Sequence, residues 1–113
     1  MDVSQALTNM IKSELGRKEF STGSKGFYGS DKITAEGVRY QAQAQAVLIG
    51  SKEGQRLAVQ ATPEQMSAAL AGLIMDSLTA RRFRTGRTGY RADGKIEAHG
   101  QWYQASVQAV RLS

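Results

Sequence analysis

The 113-residue sequence has no cysteine, one proline, one histidine and one tryptophan. Without cysteine it can form neither a disulfide framework nor a thiolate-bound metal site. No apolar run approaches the roughly 18 residues of a membrane-spanning helix. The start of the chain is acidic and amphipathic, and it lacks the basic and apolar regions of a signal peptide. These absences predict a cytoplasmic protein without a membrane partner, folded as one domain over residues 1–113.

The chain matches itself when it is shifted by 63 residues. Residues 20–28 read FSTGSKGFY and residues 83–91 read FRTGRTGYR. Between residues 1–50 and 64–113, 19 of the 50 pairs are identical without a gap. A period this long predicts two copies of one supersecondary unit, joined by residues 51–63. Because a 50-residue unit buries little of its own surface, the copies are expected to share one core.

Each copy begins with a predicted amphipathic helix, over residues 3–15 and 63–79. Apolar residues recur there at helical spacing. Asp2 is the predicted N-cap of the first helix. Thr62 and Gln65 form a predicted capping box for the second, with Pro63 at the first helical position.

Three strands are predicted after each helix, because alternating apolar residues are interrupted by turn residues. Residues 30–31 and 93–94 are predicted to form the first turn of each copy, and residues 36–37 and 99–100 the second. Residues 56–60 are predicted to form a linking strand. The fold class is therefore α+β: a tandem duplication of a helix–three-strand unit forming one pseudo-twofold domain, with an antiparallel sheet and helices on one face.

Strict alternation divides the long strands into two faces. Tyr40, Tyr103 and the small residues that alternate with glutamine belong to the buried face, beneath the helices. The other face is expected to remain open. The candidate binding residues on this open face are Tyr28, Lys32, Arg39, Gln41, Arg91, Lys95, Trp102 and Gln104.

Both copies contain a Thr-Gly-x-x-Gly-aromatic motif, at residues 22–27 and 85–90. Paired glycines allow a backbone to approach a phosphate closely, and Lys25, Arg84 and Arg87 would add charge there. Equally, the glycines can serve a bulge or a tight bend where the chain enters a strand. The sequence leaves both interpretations open.

Catalytic residues are scarce. No carboxylate occupies the same position in both copies, and the single histidine, His99, lies in a predicted turn. There is no phosphate-binding loop, dinucleotide fingerprint or cluster of metal ligands. The protein is therefore predicted not to be an enzyme and to use no cofactor or metal.

The open face combines cations, aromatic rings and amides, and five arginines fall between residues 81 and 91 without an intervening acid. Cations follow phosphates, and aromatic rings stack on bases. We expect a small non-catalytic nucleic-acid-binding protein that holds single-stranded DNA or RNA. In layout this architecture resembles the whirly and PUR single-strand binders. The alternative is a protein-interaction or homo-oligomeric assembly module, using the same flat face or the sheet edges.

Overall fold

The computed structural model describes residues 1–50 and 58–112, and it contains two helices and one six-stranded antiparallel sheet. The elements, in chain order, are α1 (Val3–Glu14), β1 (Gly16–Glu19), β2 (Lys25–Ala35), β3 (Val38–Leu48), α2 (Pro63–Ser77), β4 (Thr79–Arg82), β5 (Thr88–Ala98) and β6 (Gln101–Arg111). The strand order in the sheet is β1-β2-β3-β6-β5-β4. The α+β class is confirmed.

The helices begin where the sequence predicts. The Gln5 amide donates to Asp2 Oδ1 at 2.8 Å. The Gln65 amide donates to Thr62 Oγ1 at 3.1 Å, and the Thr62 amide donates to Gln65 Oε1 at 2.9 Å. These bonds satisfy amide groups that have no partner inside a helix. Leu15 caps the C-terminus of α1 in an extended conformation, so the chain passes directly from helix to strand.

The core lies between the helices and one face of the sheet. Tyr103 is fully buried and Tyr40 is 7% exposed, which confirms that both belong to the buried face. The two helices contact each other, and each also packs on the sheet. The large, fully buried side chains of the helices are Leu7, Ile11, Met66, Leu70 and Ile74, and the fully buried side chains of the central strands include Ala42, Ala44, Ala46, Val107 and Ala109. Small residues on the central strands allow the helices to approach closely.

The predicted turns at residues 30–31 and 93–94 are wrong, because β2 and β5 run through them without interruption. Asp93 and Gly94 pair with Ser106 and Ala105 in the middle of the sheet. Pairing with β6 thus overrides a local turn preference. Packing does not require glycine at position 94, because a Cβ there would lie 3.5 Å from Leu73 Cδ1, an ordinary van der Waals contact. The second turn of each copy is confirmed, at residues 36–37 and 99–100.

The first strand of each copy was not predicted from the sequence. β1 and β4 directly follow the helices and form the two edges of the sheet. Each joins the next strand through the loop that contains the first glycine of the motif. Of the predicted linking strand, residues 56 and 57 lie outside the described residues, and residues 58–60 have no strand structure.

Candidate nucleic-acid interface

The open face is the side of the sheet that points away from the helices. Gln43 of β3 lies directly opposite Gln108 of β6, and Gln45 lies opposite Ser106. These side chains are exposed or half-buried, between neighbours that are buried. Because successive strand residues point to opposite faces, the amides form a polar centre on the open face. The glutamines of this centre and its flanks are Gln41, Gln43, Gln45, Gln104 and Gln108.

Two rows of paired residues cross the sheet, and each strand that a row crosses contributes one residue to it. Each row has an exposed cation at both of its ends. The first row runs from Lys32 through the paired residues of β3, β6 and β5 to Arg81. The second row runs from Lys18 to Lys95 in the same way. Each row crosses four strand intervals, which corresponds to about 19 Å at the usual spacing. All four side chains are exposed.

The two rows are six residues apart along β3, where they pass through Gln41 and Val47. That separation corresponds to about 20 Å of strand. The four cations therefore mark the corners of an area of about 19 by 20 Å around the amide centre. Of these corners, Lys32 and Lys95 were predicted as binding residues. Lys18 and Arg81 were missed, because they lie on the unpredicted edge strands.

Two aromatic side chains lie on the open face. Lys18 Nζ is 4.5 Å from the centre of the Tyr28 ring, and the Tyr28 hydroxyl donates to Gln43 Oε1 at 3.3 Å. Trp102 is 54% exposed, which confirms its predicted position. Its carbonyl oxygen accepts from the Ile49 amide at 3.0 Å, and Ile49 is itself 43% exposed. Trp102 thus presents about half of its surface to solvent on the open face.

Arg91 lies on the open face with its charge already paired. Its Nε is 2.8 Å from Asp93 Oδ2, and its Nη1 donates to Gln108 Oε1 at 3.1 Å. This pair was not predicted, because Asp93 was placed in a turn and not in the strand that contains Arg91. As Asp93 compensates the guanidinium charge, Arg91 offers less to a phosphate than the four corner cations do.

Three predicted cations lie away from the open face. Lys25 begins β2 and pairs with Glu19 on the helix side. Arg84 lies in the loop between β4 and β5. Arg87 Nη1 donates to the carbonyl oxygens of Arg111 and Leu112 at 3.1 and 3.0 Å, so it fastens the end of β6. The remaining predicted residues, Arg39, Gln41 and Gln104, are exposed on the open face.

The motif glycines have backbone roles in both copies. Gly23 has a φ of 87°, and its amide donates to the Phe20 carbonyl oxygen at 2.9 Å. The Phe20 amide in turn donates to the Ser24 carbonyl oxygen at 2.7 Å, as in a three-residue hairpin loop with a bulge. At Gly26, a Cβ would fall 1.9 Å from the Ala46 carbonyl oxygen. The second copy repeats both features, so the backbone alone accounts for these glycines.

No three histidine, aspartate or glutamate residues come together as metal ligands in the described part of the chain. Within those same residues, neither helix is long and apolar enough to cross a membrane. His99 is exposed, and its Nδ1 lies 3.4 Å from Gln65 Nε2. Comparison with protein-family models, curated proteins and solved structures gives no match for this chain.

Proposed function

We propose that this protein binds single-stranded DNA or RNA on its open face, without strong sequence specificity and without catalysis. The observation that carries the proposal is the arrangement of four exposed cations around a centre of amides, with the exposed ring of Trp102 and the half-buried ring of Tyr28 beside them. A flat, largely uncharged centre with a positive perimeter suits a flexible polyanion whose bases are available for stacking.

Each class of side chain has a separate role in this proposal. The corner cations contact phosphates and release counterions from the strand. Trp102 and Tyr28 stack on bases, which tolerates any sequence because every base has a π-face. The glutamines donate and accept hydrogen bonds at base edges, and they avoid the repulsion that carboxylates would cause.

We further propose that the fold is a tandem duplication with a pseudo-twofold axis between β3 and β6. The bounds of β1, β2 and β3 recur in β4, β5 and β6 after 63 residues. The register of each strand pair recurs with the same shift. Ala44 pairs with Val107, its own counterpart at that shift, as an axis at this point requires. Superposition of the two halves of an experimental structure tests this proposal.

Fluorescence anisotropy tests the binding function directly. A labelled oligo(dT), an oligo(rU) and a DNA duplex are titrated with the protein at several salt concentrations. We expect both single strands to bind more tightly than the duplex, with an affinity that falls as salt rises. Affinity no tighter than about 10⁻⁴ M at low salt, weaker than ordinary non-specific binding, would refute the function.

The alternative, a homo-oligomeric assembly module, is favoured by one observation. Ile49, directly after β3, lies beside Trp102 of β6, and together they form an exposed apolar patch. Such patches are often interaction sites. Sedimentation velocity over a range of protein concentrations distinguishes the two proposals. A dimer that Ile49→Glu dissociates, combined with no oligonucleotide binding, would favour assembly.

A further inference from the structure

Two grooves on the helix side of the sheet are related by the 63-residue shift, so comparing them rests on the proposed duplication. The first groove is lined by Arg17, Lys18, Glu19, Lys25, Gly26, Ala58 and Val59. The second groove has a volume of about 410 Å³ and is lined by Tyr40, Ala80, Arg81, Arg82, Thr88, Gly89, Tyr90 and Arg111. Five residues of the second lining are counterparts of residues in the first.

One side of the first groove is formed by an extended segment of this chain, residues 58–61, and about 440 Å³ of the groove remains open. Gln101 Nε2 donates to the Ala58 carbonyl oxygen at 2.8 Å, and Gln101 Oε1 accepts from the Gln60 amide at 2.9 Å. Arg17 Nη2 donates to the Ala61 carbonyl oxygen at 2.9 Å. The segment is therefore held largely through its backbone, as extended peptides commonly are.

A pair of buried aromatic rings lies beneath this segment, and neither ring lines the first groove. Phe27 and Tyr103 are both fully buried, and their ring centres are 6.1 Å apart. Ala61 is also fully buried, and Val59 packs against the core. The segment thus completes the hydrophobic core at this end of the sheet.

The second groove has an equivalent ring pair but no covering segment among the described residues. Tyr40 and Tyr90 also have ring centres 6.1 Å apart. Tyr90 remains half-buried, whereas its counterpart Phe27 is fully buried. Within the described residues, neither tyrosine hydroxyl has a hydrogen-bond partner. Two hydroxyl groups and a partly exposed ring therefore line the second groove.

The charge of the second groove differs from that of the first. At the 63-residue shift, Arg82 of the second groove corresponds to Glu19 of the first. Arg111 of the second groove corresponds to Leu48, which is buried. No carboxylate lines it. The Arg82 side chain forms no ion pair or hydrogen bond with any described residue, whereas the Arg81 side chain belongs to the open face. Beyond the tyrosines, an adjoining cavity is lined by Asp2 and Glu36, so the positive lining is confined to one end.

We propose that the second groove binds an extended acidic peptide segment of a partner protein. The segment beside the equivalent groove shows that an extended backbone can pack here, and the arginines select acidic side chains at one end. The tyrosine hydroxyls bond to backbone groups of the ligand, in the role that Gln101 has in the first groove. The ring pair receives a small apolar side chain, as the equivalent pair lies beneath the segment that contains Ala61 and Val59.

The probe is a fluorescein-labelled peptide, Glu-Glu-Asp-Ala-Val-Gln-Ala, which joins an acidic end to the sequence of residues 58–61, the segment beside the first groove. Its affinity is measured by anisotropy for the wild type, Arg82→Glu and the matched control Arg84→Glu. Both variants change the net charge equally, but Arg84 does not line the groove. We expect a loss of about tenfold or more for Arg82→Glu and less than about twofold for Arg84→Glu.

Three outcomes would overturn the proposal. One is an equal loss in both variants, which would indicate a general charge effect. Another is equal binding of a peptide in which lysines replace the acidic residues. The third is an NMR titration in which the probe shifts open-face amides such as Gln43 and leaves Tyr90 unchanged. Circular dichroism would show whether Arg82→Glu remains folded. A second variant, Tyr90→Phe, removes only a hydroxyl and should weaken the binding of the probe about threefold.

Discussion

Replacing Asp93 by asparagine should strengthen the binding of a single strand. Asp93 pairs with Arg91 in the middle of the open face, and asparagine has nearly the same shape without the charge. Arg91 would stay in place, because its bond to Gln108 does not depend on Asp93. The substitution therefore removes one acid from the proposed interface and makes one cation available to a phosphate.

The expected change in the salt dependence of binding follows from the number of cations on the open face. The four corner cations and Arg39 are exposed on the open face, and five such cations give a slope of about −3.5 in log affinity against log salt, at about 0.7 for each phosphate contact. A sixth cation, Arg91, would bring the slope to about −4.2. Loss of the carboxylate also removes a repulsion of about 0.5 kcal/mol, taking a phosphate 8 Å away in water.

The assay is oligo(dT) anisotropy over a series of salt concentrations, with Asp76→Asn as the matched control. Asp76 is exposed on α2, on the opposite side of the molecule, and its substitution changes the net charge by the same amount. The Asp93 ion pair is 33% and 51% exposed, so its loss should cost no more than about 1 kcal/mol of stability. Identical slopes for wild type and Asp93→Asn, or equal gains in both variants, would refute the reasoning.

Four further predictions concern single residues. Trp102→Ala should weaken oligonucleotide binding by about 1–3 kcal/mol through lost stacking and leave the salt slope unchanged, as anisotropy would show. Gly26→Ala should lower the free energy of unfolding by about 1–3 kcal/mol or more in urea titrations, because its Cβ would meet a backbone oxygen at 1.9 Å, whereas Gly16→Ala, with nothing within 4 Å, should be nearly neutral. Thr62→Ala should cost about 0.5–2 kcal/mol of unfolding free energy by removing the capping box, with no effect on binding. Burial raises the pKa of Tyr103 above its usual value of 10.0, so its contribution to stability is complete below that pH and is lost as pH rises through the raised pKa; alkaline unfolding that Tyr103→Phe leaves unchanged would contradict this.

The sequence was sufficient to predict the helices and the buried face of the central strands. Both depend on local periodicity: apolar residues at helical spacing with a cap before them, and a strict alternation of alanine with glutamine. Tyr40 and Trp102 were placed on opposite faces for this reason, and their burial agrees. Such patterns agree with the structure because they reflect which side of each helix or strand is buried on folding.

The errors have a different physical origin. Asp93-Gly94 is a favourable turn sequence, but its pairing with β6 is a long-range contact that a local pattern does not contain. The edge strands are short and highly charged, so they have no buried face to produce an alternating pattern. Because these strands were not predicted, Lys18 and Arg81 were not predicted as binding residues either. The Arg91–Asp93 ion pair was not predicted either, because it depends on the same long-range pairing that keeps β5 uninterrupted.

The differences between the two copies make the open face asymmetric. At the 63-residue shift, Tyr28 corresponds to Arg91 and Arg39 corresponds to Trp102. Both aromatic rings lie on the half of the face crossed by the row from Lys18 to Lys95.

The two arginines lie on the half crossed by the row from Lys32 to Arg81. Corner cations occur on both halves, whereas stacking rings occur on only one. In the proposed complex, bases would therefore stack over one half, and contacts on the other half would be made mainly to phosphates. This separation is why loss of Trp102 should change affinity without changing its dependence on salt.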